Sequence, residues 1–371
     1  MTDSPQVFHL ITRLLKGGAE EKTIQTIFGL DEYEFTLGYG AEFDSEQVSR
    51  LESSGVETHR FRTIRHYNPI TALPAVISVA GYLRREEFDI VHTHSTEAGI
   101  IGRFAAAIAN VPAVVHTVHG IPFAEDRNMI LNRFVCHCER FCARWTDRIV
   151  TNADAITEAY LQRGIGCPKQ YTTVYSGINL DRFRNASPAD DVNGSGVRIL
   201  MVSRLADGKG FVDLFDAIEA IDEEISVYLV GDGPLYDEIE ESITERDLPV
   251  SLLGYRSDVA SIMAACDIFV LPSYREGTPR VITEAMASGL PVVSTDIAGI
   301  PEQVADAKSG FLIQPGESVA LVDRLRQLII SAGLREEFAS VAQKRVERFS
   351  VKTMLSDLDN MYRIVLADAR D

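Results

Sequence analysis

The chain has 371 residues, and 54 acidic against 36 basic side chains leave it a formal net charge of -18. That length exceeds a single typical core and fits two domains, while that charge excludes nucleic acid as a partner, because a phosphate backbone needs a basic footprint. The N-terminus lacks the apolar core of a signal peptide, and the most apolar region, residues 100–118, is interrupted by Arg103, Asn110, Pro112 and His116, so no membrane span and a cytoplasmic location are expected.

Residues 7–11 read as a first strand, followed by Lys16-Gly17-Gly18-Ala19-Glu20 at the start of a helix. Gly17 and Gly18 let a phosphate or another backbone come close; a plain tight turn is the alternative. Two later strands, residues 89–94 and 114–119, end in histidines, and alternation puts His92 and His94 on one face. A zinc cluster of His92, His94, His116 and His119 would need these strands to meet with tetrahedral geometry, which nothing in the spacing specifies, so no metal is assigned and His92, His94 and His116 read as packed or orienting groups.

Between Arg133 and Arg148, basic residues interleave with Phe134, Phe141 and Trp145 on a predicted helix. A solvated face backed by core aromatics is the commoner outcome; peripheral contact with an anionic membrane surface is the other reading. The helix also holds Cys136, Cys138 and Cys142. Five cysteines in all, with a spacing that matches no zinc ribbon, point to buried reduced thiols.

Residues 1–175 read as a first domain and 176–196 as a linker, because 185–196 lacks periodicity and is rich in turn residues. The second domain, 197–349, opens with an apolar strand running into Arg204-Leu205-Ala206-Asp207-Gly208-Lys209-Gly210 and a helix from about Phe211. Two cations at a strand's exit and a helix's entrance suit a diphosphate leaving group. The next strand ends in Gly231-Asp232-Gly233-Pro234. A dinucleotide fingerprint would need a third glycine where Tyr236 stands. A Walker loop would need an earlier glycine and a Ser or Thr after Lys209, so NAD and ATP readings fall.

Residues 252–255 close another strand at Tyr255. In Tyr274-Arg275-Glu276-Gly277-Thr278-Pro279-Arg280-Val281-Ile282-Thr283-Glu284-Ala285-Met286, Thr278 suits a helix cap and Pro279 the first helical position. That places Glu276 in the loop and Glu284 one turn into the helix, with the amides of Arg280, Val281 and Ile282 pointing outward as donors for an anion. Finally, Met354, Leu358, Met361 and Ile364 are spaced for one apolar face of a terminal helix, residues 350–371.

Glu276 and Glu284 resemble the E-x7-E signature of retaining GT-B glycosyltransferases, the group that includes sucrose synthases and many polysaccharide and lipid-linked sugar transferases. Ser203–Gly210 is similar to the S-R-L-x-x-x-K-G segment of that family, residues 231–234 to its G-D-G-P turn, Gly299–Glu302 to its G-x-P-E loop and Gly17–Glu20 to its G-G-x-E segment. The stretch 175–183 resembles its N-G-x-D-x-x-x-F entry to the hinge but departs from it at Ser176 and Asn179. The resemblance spans nearly the whole chain.

It implies an α/β fold of two Rossmann-like, doubly wound parallel-sheet domains facing a deep cleft, with the last helix returning to the first domain. It assigns Glu276 to the donor sugar, Glu284 to the ribose, and Arg204, Lys209, Gly277, Thr278, Arg280, Val281, Gly17 and Gly18 to the donor diphosphate. Tyr255 falls beside the base and His119 beside the transferred sugar. The implied reaction moves a sugar, with retention, from a nucleoside-diphosphate sugar to a hydroxyl acceptor, most often a lipid-linked glycan at the inner face of a membrane. No cofactor and no metal are implied, because Arg204, Lys209 and the helix amides can replace a divalent cation. A nucleotide-sugar 2-epimerase of the same fold, or a non-catalytic nucleotide-sugar-binding protein, is the alternative.

Overall fold

A computed structural model describes residues 4–15, 17–65, 72–120, 123 and 129–369; Lys16 of the first glycine segment lies outside them. The chain divides into two compact units, Met1–Gly177 with Lys352–Asp371, and Ile178–Val351.

Among the described residues the first unit holds seven strands: β1 Gln6–Ile11, β2 Glu34–Tyr39, β3 Glu57–Arg60, β4 Ile90–His94, β5 Ala113–Val118, β6 Arg148–Thr151 and β7 Tyr171–Thr173. They lie in the order β3-β2-β1-β4-β5-β6-β7, all parallel. The second unit holds six: β8 Val197–Val202, β9 Ile225–Val230, β10 Val250–Gly254, β11 Ile268–Leu271, β12 Val292–Thr295 and β13 Gly310–Ile313. Their order is β10-β9-β8-β11-β12-β13, again parallel. Strands such as Ile268–Leu271 are apolar throughout and wholly buried, as a sheet covered by helices on both faces requires. In each sheet the chain order reverses direction once, between β1 and β4 and between β8 and β11. Ligands of doubly wound sheets bind beyond the carboxyl ends of the strands at such a reversal.

The terminal helix, Val351–Asp368, packs on the first sheet: Met354, Leu358, Met361, Tyr362 and Val365 are buried with Val7, Ile90, Val115 and Val150. Ile364, expected on that face, is exposed. At 100° per residue it lies outside the stripe that runs from Met361 through Val365 to Tyr362, which takes the place assigned to Ile364.

The stretch expected to be a linker is folded onto the second unit. It contains the short helix Leu180–Arg184, capped by Asn179, whose side chain accepts from the Arg182 amide at 3.2 Å. Val192 is buried, and the Gly194 amide donates to Tyr228 Oη at 2.7 Å. Turn-rich composition concealed these tertiary contacts. Of the thiols on the helix Met129–Cys142, Cys142 alone is fully buried; all five cysteines are free. Among the described residues no helix is long and apolar enough to cross a membrane.

Candidate active site

In the second unit, the loops leaving β8, β9 and β11 are tied together at the carboxyl ends of the strands. Leu205 N donates to Asp232 O and Leu235 N to Leu205 O, both at 3.0 Å, which joins the β8 loop to the Gly-Asp-Gly-Pro turn. Tyr274 N donates to Gly208 O at 2.8 Å and joins the same loop to the one after β11. Two glycines permit this crowding. A Cβ on Gly233 would stand 2.2 Å from Leu205 O, and one on Gly210, at φ +77°, 2.1 Å from Pro272 O.

Lys209 and Glu276, assigned from sequence to one ligand, are brought together: Nζ lies 2.7 Å from Oε1, with 22% and 12% of the side chains exposed. Arg204 is exposed on the same loop, and a recess of about 370 Å³ beside Lys209 is lined by Asp207, Phe211, Leu235, Glu238 and Tyr274. Gly277 O accepts from Gly299 N at 2.8 Å, so the glutamate loop is braced by the segment after β12.

The helix after that loop is Arg280–Ala287, with Glu284 one turn in. Pro279 is its cap rather than its first residue: Pro279 has ψ 116°, an extended value, and its carbonyl accepts from Ile282 N at 3.2 Å and from Gln303 Nε2 at 2.9 Å. The amide of Ile282 is therefore engaged inside the turn. That takes Ile282 out of the three proposed anion donors. Tyr255 follows β10 and is 77% exposed, more open than the half-buried aromatic common at strand ends.

Gly17, Gly18 and His119 belong to the first unit. Gly17 precedes the helix Gly18–Gly29 with φ -164°, an extended conformation open to any residue, so what distinguishes it is the missing side chain. His119 follows β5, half-buried, with its carbonyl 3.4 Å from Asn152 Nδ2. Behind it lies a cluster that joins His92 and His94, expected on one face, to two groups the sequence did not single out, His9 and Tyr362. His9, His92 and His94 are buried on adjacent β1 and β4, His9 opposite His92 in register, and Tyr362 of the terminal helix joins them. Burial lowers the His9 imidazole to about 3 and pushes His92 and His94 well below the ordinary value; burial also lowers His119. Lys22 is buried too, donating to Val174 O at 2.7 Å. Burial brings its ammonium down to about 7 against the opposing pull of Asp357. His116 faces the other side, 2.9 Å from Thr93 Oγ1. The one signal available was polar side chains inside otherwise apolar strands.

Residues 17–177 match the family described as glycosyl transferase 4-like domain, and residues 184–345 that described as glycosyl transferases group 1. The UDP-Gal:alpha-D-GlcNAc-diphosphoundecaprenol alpha-1,3-galactosyltransferase of Escherichia coli is 30% identical over 313 residues, spanning 80% of this chain and 81% of that protein. The chain belongs to the group 1 glycosyltransferases. Another relative in this family is the capsular polysaccharide biosynthesis glycosyltransferase CapM of Staphylococcus aureus, 27% identical over 353 residues, 87% of this chain and 91% of that one. A crystal structure of Anabaena Alr3699/HepE in complex with UDP superposes with a TM-score of 0.84 at 25% identity, covering 96% of this chain and 99% of that one. The two parallel-sheet units are thus those of a GT-B glycosyltransferase, and both signature glutamates, with Arg204 and Lys209, fall inside the 184–345 match.

Proposed function

We propose that this glycosyltransferase moves a sugar from a nucleoside-diphosphate sugar to a hydroxyl acceptor, with retention at the anomeric carbon and without a divalent cation. The observation that carries the reading is the pairing of Lys209 with Glu276 at the carboxyl ends of β8 and β11. An arriving diphosphate competes for the ammonium and leaves the carboxylate to the sugar hydroxyls. Arg204 adds a second cation, and the backbone from Gly277 and Thr278 to Arg280 and Val281 adds neutral donors, so charge on the leaving group is met as the glycosyl bond breaks. Glu284 takes the ribose and Tyr255 the base. Gly17 and Gly18 give the diphosphate a second backbone contact, His119 meets the sugar, and the departing phosphate oxygen takes the acceptor's proton.

The names of the relatives support uridine as the base and a polyprenyl-diphosphate glycan as the acceptor. The helix Met129–Cys142 supports a peripheral seat on an anionic membrane at its cytoplasmic face. It exposes Met129, Ile130, Phe134 and Phe141 beside the exposed Arg133 and Arg144. The test is to offer UDP-sugars with and without a lipid-linked acceptor, in anionic and in neutral vesicles, and to follow UDP and the product's anomeric configuration. UDP release should need the acceptor, the product should keep the donor's configuration, EDTA should change nothing and anionic vesicles should be faster. Isomerised sugar without acceptor would instead indicate an epimerase, and inverted product or sensitivity to EDTA would overturn the mechanism.

A further inference from the structure

The buried groups behind His119 form one unbroken hydrogen-bonded line. It runs from Thr117 Oγ1 to His92 Nε2 at 2.6 Å, and from His92 Nδ1 to Tyr362 Oη at 2.6 Å. From Tyr362 Oη it reaches His9 Nε2 at 3.2 Å, then passes from His9 Nδ1 to His94 Nε2 at 2.7 Å and from His94 Nδ1 to His119 Nε2 at 3.2 Å. A neutral imidazole donates from one nitrogen and accepts at the other, and a hydroxyl carries one proton. Each internal histidine has both nitrogens engaged, so it passes the direction of one bond on to the next.

Directionality follows from the ends. If the bonds run from Thr117 towards His119, every buried proton has an acceptor and the spare N–H stands on His119 Nδ1, at the half-buried end. If they run the other way, the spare proton is that of Thr117, which is fully buried and has no other side-chain partner among the described residues. If Tyr362 accepted from both neighbours, its own buried proton would be the one stranded. Leaving a buried donor unpaired is the costly alternative.

We infer that Thr117, His92, Tyr362, His9 and His94 are positioning residues that hold His119 as its Nδ1–H tautomer, so that it offers a ligand oxygen a hydrogen-bond donor and not a base. This deepens the proposed role of His119 and rests on it for the identity of that oxygen, a hydroxyl of the transferred sugar. His9, His92 and His94 also place one nitrogen each within 4.8 Å of one another, a spacing a metal could use. In the line described, each neutral imidazole has already committed its single lone pair to an incoming N–H or O–H. A metal would have to dismantle the line.

The decisive experiment takes the full chain labelled with 15N-histidine and records long-range 1H–15N spectra at pH 7.5, with His119 assigned by its loss in His119→Gln. The wild type should show His119 protonated at Nδ1. Thr117→Val removes the terminal donor, and Tyr362→Phe cuts the line while keeping the packed ring; both should shift His119 towards the other tautomer. In the same variants kcat should fall about tenfold with the donor KM unchanged. An Nε2–H tautomer in the wild type, one unchanged tautomer in both variants, or a stoichiometric metal on the three histidines would overturn the inference. If the spectra behave as expected while His119→Gln transfers sugar at the wild-type rate, the line stands and the assigned role of His119 falls.

Discussion

Lys209 and Glu276 hold each other at 2.7 Å with part of each side chain still in contact with solvent. With most of both side chains out of water, the cost of desolvating the two charges offsets much of their attraction, so the pair adds little net stability. On the proposed reading, it keeps a cation and a carboxylate where a sugar diphosphate would separate them. Glu276→Gln preserves the shape and removes the charge, and turnover should fall about a hundredfold or more while UDP affinity stays within about threefold of the wild type or tightens. Steady-state kinetics beside calorimetric titration would check it; unaltered turnover would remove Glu276 from the chemistry. These residues were legible in the sequence because each motif is local, a strand exit followed within a few residues by a helix start. His9 and Tyr362 were not, since their partners lie 85 and 353 positions away and only the folded sheet brings them together.

At the scale of elements, strand and helix alternation gave both parallel sheets, and misplaced positions trace to tertiary contacts. The Pro279 carbonyl accepts from Ile282 N and from Gln303, and the turn-rich stretch 185–196 is held to β9 through Gly194 N and Tyr228 Oη. The terminal helix makes the sharper point. Its apolar stripe covers the first sheet, so the last residues of the chain complete the core begun by β1. Leu358→Ala should therefore destabilise the first unit by about 2–5 kcal/mol, through lost apolar burial and the cavity left behind. Denaturant unfolding would measure it. A loss under about 0.5 kcal/mol, as expected of a surface site, would mean that the helix does not complete that core.

Over the whole molecule, the buried histidines link folding to pH. The folded His9 imidazole, lowered to about 3 by burial, binds fewer protons than its unfolded counterpart near 6.5. Its contribution is present in full above about 6.5 and is lost as pH falls towards about 3, about 2 kcal/mol of it by pH 5. The unfolding midpoint should drop between pH 7.5 and 5, and less so in His9→Gln, a comparison that separates this effect from the protein's many carboxylates. Equal losses in both proteins would contradict it.

On the proposed reading, the loops of the second unit grip a nucleoside diphosphate. Calorimetric titration of the full chain with UDP, ADP and GDP, with EDTA present, measures that directly. One of them should bind, and Lys209→Ala should weaken it about ten- to a hundredfold, the worth of one charged hydrogen bond. If none binds, or if Lys209→Ala and Arg204→Ala both match the wild type, the diphosphate does not sit where these residues place it.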